Sequence, residues 1–321
     1  MNYDLEQLFI NIISKGKKDN TYKFALAKYL LDISKNMKNG QEIPIPYKDI
    51  SEAFLKYYWI QECKYKIKQD FKQNSQPVVI TIIQKYCGRD YISDNYDKYF
   101  KSRETMRKNI IQDIEATCLR DVIPRFQPKE YNSFYTHNHT VSANGKKFNM
   151  PSKINKNIIL KVDAIIFFKD NYDLLHKSLI LEWAKFLEKT NFTPRLISKI
   201  ENLGENKRNS LSKFKKILIN IDNLCFYCNK DLDNEKIHID HFIPWSYIFD
   251  DEIWNLVLSC SSCNLKKSDY LATEKCLTKI STRNTINNFT AINQDINEYY
   301  HNCKKSGFLE YSNSKNELLC I

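Results

Sequence analysis

The chain has 321 residues, of which 42% are hydrophobic and 27% charged, the balance of a folded globular protein and not of a disordered tail. Its formal net charge of +11 favours a polyanionic partner, nucleic acid being the commonest, although a composition rich in Lys, Asn and Ile also gives a bland basic surface. No stretch approaches the ~18 apolar residues of a membrane span, and the start, MNYDLEQLF, lacks the basic-then-apolar pattern of a secretory signal. The expectation is a cytoplasmic protein with no membrane partner and reduced cysteines.

About the first 125 residues read as helical. Leu5, Leu8, Phe9, Ile12 and Ile13 fall on one helical face, and Tyr22, Leu26, Tyr29, Leu30 and Ile33 repeat the pattern. Gly40, Pro44 and Pro46 mark a break, after which a third helix runs through DISEAFLKYYWIQECKYKIK with Asp49 or Ser51 as its cap. QPVVITIIQKY is β-branched enough for a strand, but its helical neighbours favour a buried helix. From about Arg125 the texture changes to short alternating segments over Tyr131–Phe168, with Asn144-Gly145 as a two-residue hairpin turn. Helical periodicity returns with LLHKSLILEWAKFLEKTN and again with the basic NKRNSLSKFKKIL. One more helix is expected in the tail, with Ile286, Phe289, Ile296, Tyr299 and Tyr300 as its apolar side.

Four of the ten cysteines stand in two CxxC pairs, Cys225/Cys228 and Cys260/Cys263. Each pair offers two thiolates from a tight knuckle, and two knuckles together complete the closed four-cysteine shell of structural zinc. A two-Cys, two-His finger built on Cys225, Cys228, His238 and His241 fits worse. Its pairs are too close together, its histidines are too closely spaced, and it leaves Cys260 and Cys263 without a role.

Between the knuckles lies HIDHFIPWSYIFDDEIWNLVLSCSSCNLKKSD. Asp240, His241 and Pro244, then Asn255-Leu256, then CSSCNLKKS follow in order, and this series resembles the HNH, or ββα-metal, nuclease family in its four-cysteine, zinc-braced version. The resemblance covers roughly residues 221 to 275. It implies His241 as general base, Asn255 as a catalytic-site residue holding the base loop by its backbone, and Lys267 at the scissile phosphate, with Lys266 as an alternative. Asp240 and Asn264 offer hard oxygen ligands suited to Mg2+ or Mn2+, and a neutral imidazole suits a base at neutral pH. His238 reads as a supporting residue. Lys207, Arg208, Lys213, Lys215 and Lys216, just before the first knuckle, either track nucleic-acid phosphates or form a solvated helix face.

The expected fold is α+β. Residues 1–203 form a mainly helical recognition or regulatory region with a β-hairpin segment at about 131–168, residues 204–277 the zinc-stabilised nuclease module, and residues 278–321 a helical tail packing on the rest. The resemblance implies metal-dependent hydrolysis of DNA, with RNA left open, leaving a 3′ hydroxyl and a 5′ phosphate. One module nicks one strand, and a double-strand break needs a homodimer or two binding events. Stand-alone chains with a C-terminal module of this kind resemble bacterial restriction or anti-phage defence nucleases. Two alternatives stand beside this reading: a zinc module that only binds nucleic acid, and an effector silent until a partner protein or ligand acts on the amino-terminal region.

Overall fold

The structure, a computed structural model, describes residues 5–311 apart from 17, 19, 39, 70–75, 89–94, 129–132, 146, 203–209, 234–235 and 291–294. The chain forms two compact units. The first comprises Met1–Lys64 with Lys68–Thr190, and the second comprises Tyr65–Ile67 with Asn191–Ile321. Among the described residues no helix is long and apolar enough to cross a membrane.

Unit 1 is mainly helical. Helix α1 (Leu5–Ser14) buries Leu8, Phe9, Ile12 and Ile13, the face its spacing predicts. Helix α2 (Tyr22–Ser34) is buried nearly all round and packs on α8 (Val162–Asp170) and α9 (Tyr172–Leu187). Strand β1 (Ile43–Pro46) occupies the expected break, and Tyr47 then opens α3 (Tyr47–Tyr58), so the cap is Pro46 and not Asp49 or Ser51. A π-helical turn (Trp59–Lys64) ends it. Helices α4 (Val78–Cys87), α5 (Tyr96–Phe100), α6 (Glu104–Thr117) and α7 (Leu119–Phe126) follow.

Next come β2 (Tyr135–His137), β3 (Thr140–Val141), β4 (Phe148–Asn149) and β5 (Asn157–Leu160). Strands β3 and β4 pair antiparallel around Asn144-Gly145, where Gly145 takes a φ of 70°, but the Ser142 N–H donates to the Lys147 carbonyl at 2.8 Å, so four residues and not two separate the last paired positions. A three-stranded sheet has the order β1-β5-β2, which puts the two prolines of β1 on an edge strand, where their missing N–H groups cost least. The β segment stops at Leu160 and not at Phe168, because Ala164, Ile165 and Phe168 bury at helical spacing in α8.

Unit 2 contains α10 (Leu196–Glu201), α11 (Ser212–Ile221), β6 (His238–His241), α12 (Trp245–Ile248), β7 (Leu256–Ser259) and α13 (Ser261–Lys267). The tail supplies two helices where one was expected, α14 (Glu274–Ile286) and α15 (Ile296–Lys305). They belong to the same hydrophobic core as the strands: Cys276, Leu277, Ile280, Tyr300 and Cys303 are buried with Tyr227, Phe242 and Leu256. Cys63, Cys87, Cys118, Cys225, Cys228, Cys260, Cys263 and Cys303 are free thiols.

Candidate active site

The four Sγ atoms of Cys225, Cys228, Cys260 and Cys263 lie within 4.8 Å of one another, the one such metal-ready group among the described residues. Tetrahedral Zn–S bonds of about 2.3 Å require sulfur separations of roughly 3.8 Å, and Cys228 and Cys260 stand 3.9 Å apart. Local backbone explains the convergence. Asn229 enters the left-handed region (φ 54°) and its N–H donates to the Cys225 carbonyl at 2.8 Å, closing the first knuckle. Cys260 leaves β7 and caps α13, which places Cys263 in that helix's first turn. Burial, then the neighbouring Cys225, raises the Cys263 thiol well above its ordinary pKa, and burial also raises Cys225. At Cys260 burial acts in the same direction, but hydrogen bonds from the other cysteines outweigh it and lower the thiol. Four crowded sulfurs therefore do not all ionise without a cation, and a closed set of four soft donors fits Zn2+.

The strand pair β6–β7 sits between the knuckles, antiparallel, with Asp240 opposite Val257 and His241 opposite Leu256. The chain stays paired through His241 and bends at Phe242 and Ile243. Asn255, fully buried, clamps that bend: its Oδ1 accepts from the Ile243 N–H at 2.8 Å and its Nδ2 donates to the Ile243 carbonyl at 2.9 Å.

Asp240 is buried, and its Oδ2 accepts from the Tyr227 hydroxyl at 2.6 Å and faces the Lys267 ammonium at 3.2 Å. Its Oδ1 accepts no hydrogen bond among the described residues, although the side chain keeps 11% exposure. Burial, then the charge of Asp240, holds the Tyr227 phenol far above its ordinary pKa, so it stays a donor. His241 places Nε2 2.9 Å from Oδ1 of Asp251. A carboxylate only accepts, so this contact requires Nε2–H and leaves Nδ1 as the basic lone pair.

Lys267 is fully buried, donates to the His241 carbonyl at 2.7 Å and pairs with Asp240. An ammonium with no exposed surface, bonded to the His241 carbonyl and paired with Asp240, ties α13 to β6. Lys266, one residue earlier, is exposed. Asn264 lies one turn before Lys267 on α13, half-buried, and its side chain makes no hydrogen bond among the described residues. His238 places Nε2 3.0 Å from Ser261 Oγ, at the start of the same helix. Lys213 and Lys216 are exposed and Lys215 half-buried on α11, which packs on β7. Lys207 and Arg208 lie outside the described residues. Two side chains that bear on the site, Asp251 and Tyr227, carry no signal in the sequence. Asp251 stands between Asp250 and Glu252, with nothing to single it out, and a knuckle tyrosine reads as packing.

A strand pair and a short helix, joined by two cysteine knuckles and carrying Asp240, His241, Asn255 and Asn264, define a module of the HNH endonuclease class. The HNH endonuclease family model matches residues 225–273. The chain as a whole belongs to the family described as domain of unknown function DUF8808, whose model matches residues 3–199, more than half of its length. No curated protein and no solved structure matches it.

Proposed function

We propose that the chain is a metal-dependent endonuclease that hydrolyses DNA phosphodiesters at the β6–β7–α13 site. One observation carries the reading most directly: His241 is oriented by Asp251 through Nε2, next in the chain to Asp240, a carboxylate whose Oδ1 accepts no hydrogen bond among the described residues. A base and a hard oxygen ligand on consecutive residues are what water activation beside a phosphate needs. A bound Mg2+ or Mn2+, held by Asp240 with Asn264, would stabilise charge on the phosphate and on the departing 3′ oxygen.

Nδ1 of His241 takes the proton from the attacking water, whose oxygen bonds to phosphorus as the P–O3′ bond breaks. The departing 3′ oxygen takes a proton from solvent, so the products are a 5′ phosphate and a 3′ hydroxyl. Asp251 stabilises the imidazolium that forms and keeps the ring in register. Asn255 holds the bend that follows His241, and Lys267 holds the strand against the helix. One site per chain nicks one strand. The placement in restriction or anti-phage defence rests on resemblance of the arrangement alone, a C-terminal HNH module behind a helical region.

Supercoiled plasmid with Mg2+ or Mn2+ tests the proposal. The wild-type chain is expected to produce nicked circles, EDTA to abolish them, and His241→Ala or Asp240→Ala to slow them by about 100-fold or more. Equal cleavage by His241→Ala would overturn its role as base. Plasmid binding without cleavage in either metal would favour the module that only binds nucleic acid.

A further inference from the structure

The two groups that hold Oδ2 of Asp240 both come from elements that also carry zinc ligands. Tyr227 lies within the first knuckle, between Cys225 and Cys228, and its fully buried side chain donates to Oδ2 at 2.6 Å. Lys267 lies one helical turn beyond Cys263, on the helix that Cys260 caps, and approaches the same oxygen at 3.2 Å.

We propose that Tyr227 is a positioning residue for the catalytic divalent metal. Its hydroxyl, set by the zinc knuckle, occupies Oδ2 of Asp240 together with Lys267 and so presents Oδ1 to the ion in a single orientation. The inference rests on the nuclease reading. Hydrogen-bond partners behind a metal ligand fix its orientation, and their loss typically costs about 10- to 100-fold in metal affinity.

The test is a Mn2+ titration of the full chain purified with its zinc, following free Mn2+ by electron paramagnetic resonance, with zinc content measured alongside. Tyr227→Phe is expected to keep its zinc and to weaken Mn2+ binding by at least about tenfold. In an Asp240→Ala background the same change should cost nothing, because the hydroxyl then has no carboxylate to hold. A merely structural tyrosine would weaken binding in both backgrounds, which overturns the proposal. Replacing Tyr227 by para-aminophenylalanine restores an N–H donor at the same place and should recover most of the affinity, and this variant decides the matter should Tyr227→Phe lose zinc. Unchanged Mn2+ affinity in folded Tyr227→Phe also overturns the proposal while leaving the nuclease reading intact. If wild type and Asp240→Ala bind Mn2+ alike, the nuclease reading itself fails, and this inference with it.

Discussion

At the scale of single residues, the site depends on buried polar groups with fixed partners, and such groups are costly to strand. Asn255→Ala would leave the N–H and C=O of Ile243, itself fully buried, without partners. The expected loss is roughly 2–5 kcal/mol, read by urea unfolding, with a matching fall in the fraction of chain able to cleave. A loss under about 0.5 kcal/mol, the scale of an ordinary surface change, would show that the bend holds itself. Lys199 gives a second case. It is buried, its ammonium donates to Thr193 Oγ1 and the Tyr247 carbonyl, and burial pulls its pKa from 10.5 to about 7. Between about pH 7 and pH 10 the unfolded chain therefore binds a proton that the folded chain has released, so this group makes stability rise with pH across that window. Below about pH 7 both states are protonated and the cost of burying the charge is felt in full. Lys199→Met should flatten the rise, as unfolding free energies at about pH 6 and pH 9 would show; an unchanged slope would place the titration elsewhere. What the sequence showed at this scale were residues of rare type at regular spacing, the cysteine pairs and the Asp-His step. Asp251, Tyr227 and Lys199 stayed invisible because their roles come from tertiary partners 10, 13 and 48 residues away.

At the scale of elements, the two knuckles do the joining that a small two-stranded sheet cannot do for itself. The first is pinned to β7 by the Phe226 N–H on the Leu258 carbonyl at 2.9 Å, and the second begins where β7 ends. Cys228→Ser should therefore lower zinc content and speed amide exchange most in residues 225–229 and 260–267, with α14 losing less because its Leu277 and Ile280 remain in the hydrophobic core. Hydrogen exchange resolved by peptide would check this, and uniform acceleration across unit 2 would mean that the metal sustains the whole core. Element types were legible where burial follows a clean period, as in α1, or where turn residues announce a reversal, as Asn144-Gly145 does between β3 and β4. They were not legible in β1, whose prolines suggest a break because an edge position cannot be read from four residues. The same holds for α8, whose β-branched and aromatic run suits either period until its burial pattern is seen.

At the scale of the whole molecule, chain order and unit membership differ, and no local pattern reveals it. The expected boundary at 203/204 leaves α10 with the helical region, whereas the structure groups Asn191 onward, α10 included, with the unit that carries the HNH module. The tie is physical, since Lys199 of α10 donates to the Tyr247 carbonyl. More consequential is the segment Tyr65–Ile67, far upstream, which belongs to unit 2. Tyr65 and Ile67 are fully buried, and the Tyr65 ring meets Phe249 edge-on with centroids 5.4 Å apart. A fragment starting at Asn191 thus lacks part of its own core. It should release zinc at a lower temperature than the same unit in the full chain, and it should bind an apolar dye where Phe249 is uncovered. Tyr65→Ala in the intact chain removes the same ring without cutting the backbone, at a cost of about 3–5 kcal/mol, the range for deleting a buried aromatic side chain. Zinc release followed with a chromophoric chelator reports unit 2 directly, because all four ligands lie there. If the fragment and the full chain release zinc at the same temperature, and Tyr65→Ala changes neither, the upstream segment is a passenger. An early release in both would mean that the unit carrying the HNH module is completed by a piece of chain lying within the stretch matched by the other family, so a cut at residue 191 removes part of its core.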